Sequence, residues 1–151
     1  MIKRLSSEDL DNLMVVETEC FSDAYKKETY EYEIDDNPCA YIYGYYIEDK
    51  LVAFIDFWVT FETVQLCKIG VRKDYRRQHI GQELMDFMYD FCLKENCETI
   101  LLEVRSKNDR ARNFYCNEGF YELNIRKKYY SNPLDDAIVM GKILIGEEDE
   151  Q

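Results

Sequence analysis

Apolar and polar positions alternate with two different periods along the chain, and each change of period marks an element. From Ile80 the apolar residues fall at Ile80, Leu84, Phe87, Met88, Phe91 and Cys92, with Gln82, Glu83, Asp86 and Asp90 off that face. That spacing predicts an amphipathic helix. Just before it, Leu66 to Val71 is a short apolar run closed by charged residues. It predicts a buried strand. Between strand and helix sits the basic turn R-R-Q-H-I-G, Arg76 to Gly81.

The rest of the chain reads in the same way. Met1 to Leu5 is a first strand. Ser6 or Ser7 caps a helix with Glu8 and Asp9 in its first turn and an apolar face of Leu10, Leu13, Met14 and Phe21. Tyr25 to Asp35 is a weaker helix that ends by Asn37-Pro38. Ala40 to Ile47, Leu51 to Thr60 and Thr63 to Val71 form an antiparallel meander with short links. Thr99 to Val104 is a compact apolar run suited to a central strand. Ser106 and Asn108 open a short helix bearing Ala111, Phe114 and Tyr115, and Gly119 supplies its left-handed stop. Phe120 to Arg126 and Asp136 to Leu144 close the chain as strands, joined by a loop from Lys127 to Asp135.

The order βααβββαβαββ predicts an α/β fold: a mixed central sheet with helices on both faces. One domain is expected over residues 1–145, and the acidic stretch 146–151 as a mobile tail. At 151 residues, 46% hydrophobic and 33% charged, the chain suits one globular domain.

Charge narrows the partners. A net charge of −12 repels nucleic acid and attracts cations. No apolar run spans a membrane, and the first ten residues turn acidic before any signal-like core, so a cytoplasmic location is expected. The six cysteines form no C-x-x-C pair and there is one histidine, so no metal site is expected. Small reduced thiols in apolar surroundings account for them. Oligomeric state is not encoded in any pattern found.

Two groups of residues suggest chemistry. A helix start offers unpaired N–H groups and the positive end of its dipole, and Arg76 and Arg77 add charge there. That suits a pyrophosphate, although a solvated basic turn reads identically. Glu103 is the single charge ending an apolar strand run, which suits either a general base or a glutamate paired with Arg105 or solvent.

R-R-Q-H-I-G resembles the Q/R-x-x-G-x-G/A loop of the GNAT acetyltransferases. One position departs: His79 stands where that family usually has its first glycine. L-L-E-V-R-S-K-N-D-R-A-R-N-F-Y-C-N-E-G-F is similar to the L-E-V-R-x-x-N-x-x-A-x-x-L-Y-x-x-x-G-F block of one branch. I-R-K-K-Y-Y-S-N-P-L-D-D-A-I-V-M and E-T-E-C-F-S-D-A-Y resemble that branch's closing and opening motifs, with Tyr25 where tryptophan is usual. The branch is the ribosomal-protein-alanine N-acetyltransferases of RimI type, near the eukaryotic N-terminal acetyltransferases.

The resemblance implies acetyl-CoA as cosubstrate, with no metal. It implies cofactor contacts at Ile69, Gly70, Val71, Arg76, Arg77, Gln78, His79, Ile80, Gly81, Gln82 and Asn108. It makes Glu103 the general base and Tyr115 the general acid toward the departing thiolate. Neighbours on a helix face different ways, so Phe114 is expected in the core and Tyr115 in the site. Asn108 reads equally as a helix cap. The acceptor implied is a protein N-terminus, entering between the Glu19–Tyr25 and Tyr129–Tyr130 segments. A small cationic amine, such as a polyamine or aminoglycoside, or a lysine side chain is the other acceptor. A coenzyme A-binding module without catalysis is the reading of a different class.

Overall fold

The computed structural model describes residues 1–131 and 133–144. The tail expected at 146–151 lies outside the described residues. The elements run β1 (Ile2–Arg4), α1 (Leu10–Cys20), α2 (Lys27–Asp35), β2 (Ala40–Ile47), β3 (Lys50–Thr60), β4 (Thr63–Val71), α3 (Ile80–Lys94), β5 (Thr99–Arg105), α4 (Asp109–Asn117), β6 (Tyr121–Tyr130) and β7 (Asp135–Ile143). This is the expected order. The strands form one seven-stranded sheet, β1-β2-β3-β4-β5-β7-β6. Every pairing is antiparallel except β4 with β5.

Two cores lie on opposite faces. On one, Leu13 and Val16 of α1 and Tyr30 of α2 pack on Ile42, Leu51 and Phe54. On the other, Leu84, Met85 and Met88 of α3 pack on Val52, Ile55, Phe57, Ile100, Leu102 and Met140. Burying each of those α3 side chains fully stabilises the fold by about 1.5–3 kcal/mol. Phe87 and Phe91 do not join that innermost layer. They extend the α3 face sideways onto Tyr43 and Tyr41, with ring centroids 4.5 and 4.7 Å apart. The β2–β3 link is two residues, Glu48 and Asp49, both left-handed at φ 49° and 65°. That backbone matches the twist of a tight hairpin.

Two segments differ from the sequence-based expectation. Phe21 ends α1 in an extended conformation rather than continuing it. The loop expected over Lys127–Asp135 is largely strand, since β6 continues to Tyr130 through an irregular register. Lys128 adopts φ 52°, and its N–H donates to Asp136 Oδ1 at 2.8 Å. That bond replaces a regular ladder partner, which is why the basic K-K pair can sit in a strand.

The sheet is not continuous at its centre. In the β3–β4 ladder Asp56 pairs with Lys68 and Phe57 with Leu66, leaving Cys67 as an extra residue in β4. Such a bulge bends its strand and sharpens the twist. On its other side β4 pairs with β5 only from Thr63–Thr99 to Leu66–Leu102. Past the bulge the two parallel strands part, while β5 stays paired to β7 as far as Arg105–Ala137. No helix of the described residues is long and apolar enough to cross a membrane.

Candidate active site

The parting of β4 and β5 opens a cleft of about 600 Å³. One wall is the free edge of β4, with Ile69, Gly70 and Val71; the start of α3 and the start of α4 close the adjoining side. Every residue expected to contact a cofactor lines this cleft except Gln78.

The α3 end is built for an anion. His79 caps it in the left-handed conformation, φ 63°. The N–H of Glu83 is bonded to His79 O at 3.0 Å, so the N–H groups of Ile80, Gly81 and Gln82 lie ahead of the helical ladder. A Cβ placed on Gly81 would meet Phe114 no closer than 3.8 Å, an ordinary contact. Protein packing therefore does not demand glycine there; the bare backbone leaves space for a ligand. Arg76 Nε donates to Val71 O at 2.8 Å, which ties the turn to the end of β4. Arg76, Arg77 and Arg110 line the cleft, and among the described residues none of them has a carboxylate partner. Burial, and then the neighbouring Arg76 and Arg77 charges, lower the Arg110 pKa from its ordinary value. Three unneutralised guanidiniums around a helix start, in a chain of net charge −12, fit the phosphates of coenzyme A. Asn108 accepts from the Ala111 N–H at 3.2 Å, so its side chain caps α4 while it lines the cleft.

Glu103 and Tyr115 approach from opposite faces of the sheet. Along β5, Ile100, Leu102 and Val104 join the α3 core, so Glu103 and Arg105 point to the α1–α2 side. Glu103 is partly buried and accepts from Arg126 Nη1 of β6 at 2.9 Å. Arg126 in turn stacks on Tyr129, 4.3 Å from the ring centroid. The expected alternative partner, Arg105, is engaged elsewhere. Its guanidinium donates to Asp23 Oδ2 at 2.8 Å and Pro133 O at 2.7 Å, and stacks on Tyr130. Tyr115, on the other face, packs with Val104, Ile80 and Phe120 and is 8% exposed. The expected split between Phe114 and Tyr115 is corrected in one respect: both line the cleft, but Tyr115 is the more buried, because α4 turns it inward against Phe120 while Phe114 flanks Gly81. Burial, with a smaller contribution from Tyr130, raises the Tyr115 phenol above its ordinary value. It keeps its proton at neutral pH. Burial and then Glu103 push Tyr130 up to about 12.

The cleft is also lined by Phe21, Asp23, Tyr25, Lys68, Arg105 and Tyr130. Lys68 and Arg110 carried no distinguishing sequence signal, whereas Arg105 stands in the L-E-V-R block. Lys68 sits in an apolar strand pattern, and Arg110 reads as a solvated helix cation. Among the described residues no group of His, Cys, Asp and Glu is arranged to hold a metal ion.

Comparison with known proteins places this geometry. The model of the Acetyltransferase (GNAT) family matches residues 8–120. A Bacillus subtilis protein provisionally named ribosomal protein bS18-alanine N-acetyltransferase is 26% identical over 139 residues, covering 92% of each chain. The solved ribosomal-protein-S18-alanine N-acetyltransferase of Escherichia coli superposes with a TM-score of 0.88 at 27% identity, over 95% of this chain and 93% of that one. Arabidopsis thaliana Naa50, solved in complex with the bisubstrate analogue CoA-Ac-MVNAL, gives 0.80 at 26% identity, over 94% of this chain and 97% of that one.

Proposed function

Because the chain belongs to the GNAT acetyltransferase family and is an acetyl-CoA-dependent N-acetyltransferase, we propose that its acceptor is the α-amino group of a protein N-terminus, such as an alanine-starting ribosomal protein. The observation that carries this reading is the charge balance of the acceptor mouth. Lys68, Arg105 and Arg126 are paired one to one with Glu17, Asp23 and Glu103. Among the described residues, the carboxylates lining the mouth, Asp23 and Glu103, thus leave no surplus to concentrate a polycation, although the chain as a whole is strongly acidic. Its walls are instead the aromatic rings of Phe21, Tyr25 and Tyr130, suited to an uncharged peptide stem. The names of the B. subtilis and E. coli relatives and the peptide joined to CoA in the Naa50 complex support the same choice.

In this reading each residue has a bounded task. Bound acetyl-CoA supplies an activated thioester carbonyl. The start of α3, with Arg76, Arg77 and Arg110, holds the phosphates, and the free edge of β4 at Ile69, Gly70 and Val71 offers backbone groups to the pantetheine arm and the carbonyl oxygen. Glu103 takes a proton from the acceptor, directly or through a water. An α-ammonium with a reference pKa of about 7.7–8.0 yields that proton far more readily than a lysine at about 10.4. Arg126 must yield its place on Glu103 to the incoming amine. Tyr115 keeps its proton and donates a hydrogen bond to the leaving sulfur, transferring the proton only as charge accumulates there.

The test compares kcat/KM for peptides with free N-termini, N-formylated peptides bearing lysine, and spermidine, using acetyl-CoA in every assay. The reading predicts that free N-termini are the preferred class. Preference for spermidine by tenfold or more would replace it with the small-amine alternative.

A further inference from the structure

Beneath the acceptor wall lies a set of charges that the reaction above does not use. Glu17 of α1, Glu33 of α2 and Asp56 of β3 are buried, at most 3% exposed. Lys68 of β4 pairs with Glu17 Oε2. Glu17 also accepts from the Tyr30 hydroxyl at 2.6 Å and the Tyr25 N–H at 2.8 Å. Glu33 accepts from Trp58 Nε1 at 2.8 Å. Neither oxygen of Asp56 meets an N–H or hydroxyl donor. The Glu33 carboxyl is among its charged neighbours. Burial, with Glu33 and Glu17 nearby, holds Asp56 well above the usual carboxyl range against the opposing pull of Lys68. Cys67, Tyr25 and Tyr30 are its further titratable neighbours.

The cation at the top of this cluster touches the acceptor wall. Lys68 Nζ lies 3.5 Å from the Tyr25 ring centroid and 4.4 Å from that of Phe21. Both rings line the cleft. Glu17 grips the same wall by its backbone, through the Tyr25 N–H. A buried ion pair is no better for stability than an apolar pair of the same shape. What this one does is fasten two rings and one backbone amide in the segment that follows α1, where beyond the Phe21 cap no helix or strand holds the chain.

We propose that Lys68 is a positioning residue for the acceptor: its ammonium, fixed by buried Glu17, holds Phe21 and Tyr25 in the wall against which the acceptor's first residues pack. This rests on the N-terminal acetylation reading. The phosphate end, at the start of α3, lies beyond Val71 and does not contain Lys68.

The test uses Glu17→Gln/Lys68→Met, which removes both charges together so that neither is left buried alone. The acceptor KM is expected to rise about tenfold, with kcat and the acetyl-CoA KM within about threefold of wild type. Lys68→Arg, which keeps a cation over the rings, is expected to restore the acceptor KM. An unchanged acceptor KM in the double variant overturns the proposal, as does a parallel loss in all three constants. If the double variant does not fold, Tyr25→Leu decides, because it removes the ring and leaves the charges paired; an unchanged acceptor KM there overturns the proposal as well. The wild-type enzyme is assayed first on a free N-terminal peptide and on spermidine. Activity on spermidine alone defeats the N-terminal reading, and the KM comparison is then made with spermidine, where the same shift in KM alone supports the positioning role and its absence overturns it.

Discussion

At the scale of single residues, Glu103 and His79 carry the sharpest expectations. Glu103→Gln keeps the side-chain shape and removes the proton acceptor. Its kcat/KM is expected to fall by roughly 10²–10⁴ at neutral pH, with coenzyme A binding unchanged. The loss should shrink as pH rises above the α-amine value, where solvent has already removed the proton. A pH–rate profile of both enzymes checks it, and equal rates at neutral pH would assign the base elsewhere. His79 departs from the family glycine, and the structure gives the reason a glycine suits the position: φ is 63°. Histidine tolerates that region better than most residues. The left-handed backbone costs about 1–2 kcal/mol for a residue with a Cβ. Glycine removes that cost but loses about 0.5–1 kcal/mol through its freer unfolded chain. His79→Gly is therefore expected to change stability by less than about 1 kcal/mol and to keep or improve acetyl-CoA affinity by calorimetry. Abolished binding would make the imidazole a required ligand.

At the scale of elements, the start of α3 and the bulged centre of the sheet do the positioning. Arg77→Ala and Arg110→Ala should each weaken coenzyme A binding by about tenfold, since each removes a charge from the same unneutralised cluster. The gain in Tm at saturating acetyl-CoA should shrink accordingly. No loss from Arg110→Ala would remove that residue from the phosphate site. Buried Asp56 makes a second, separate prediction. Its folded pKa is raised, so between the ordinary carboxyl value and the raised one the native state holds a proton that the unfolded chain has released. Stability must fall as pH rises through that window, by up to about 1.4 kcal/mol per pH unit. Asp56→Asn removes the titrating carboxyl and should flatten that slope. Denaturant midpoints across the pH range measure it, and an identical slope in the variant would show that Asp56 is not the group that holds the proton.

At the scale of the whole molecule, the elements were legible because one face of each is apolar at its own period, as in Ile80–Lys94. The site was legible only through its motifs. Three features were not. The bulge at Cys67 leaves no mark in L-C-K-I-G-V, because a bulge is a matter of register, which depends on the partner strand. The charge of Asp56 sits inside L-V-A-F-I-D-F-W-V-T, where alternation cannot show that two helices bring further carboxylates to it. Arg126 ends an expected strand, but its pairing with Glu103 depends on the strand order β5-β7-β6, which no local pattern shows. Charge behaves similarly: the net value of −12 describes the whole chain, yet the cleft is cationic at the start of α3 and balanced around Lys68 and Arg105 among the described residues. The central claim, that this cleft delivers acetyl to an α-amine, is tested most directly by one peptide that offers both nucleophiles. A peptide with a free N-terminal alanine and an internal lysine, incubated with enzyme and acetyl-CoA, is fragmented by tandem mass spectrometry to locate the acetyl group. The account predicts acetyl on the α-nitrogen, with the lysine unmodified at early times. Acetyl on the lysine Nζ with a free α-amine would contradict it.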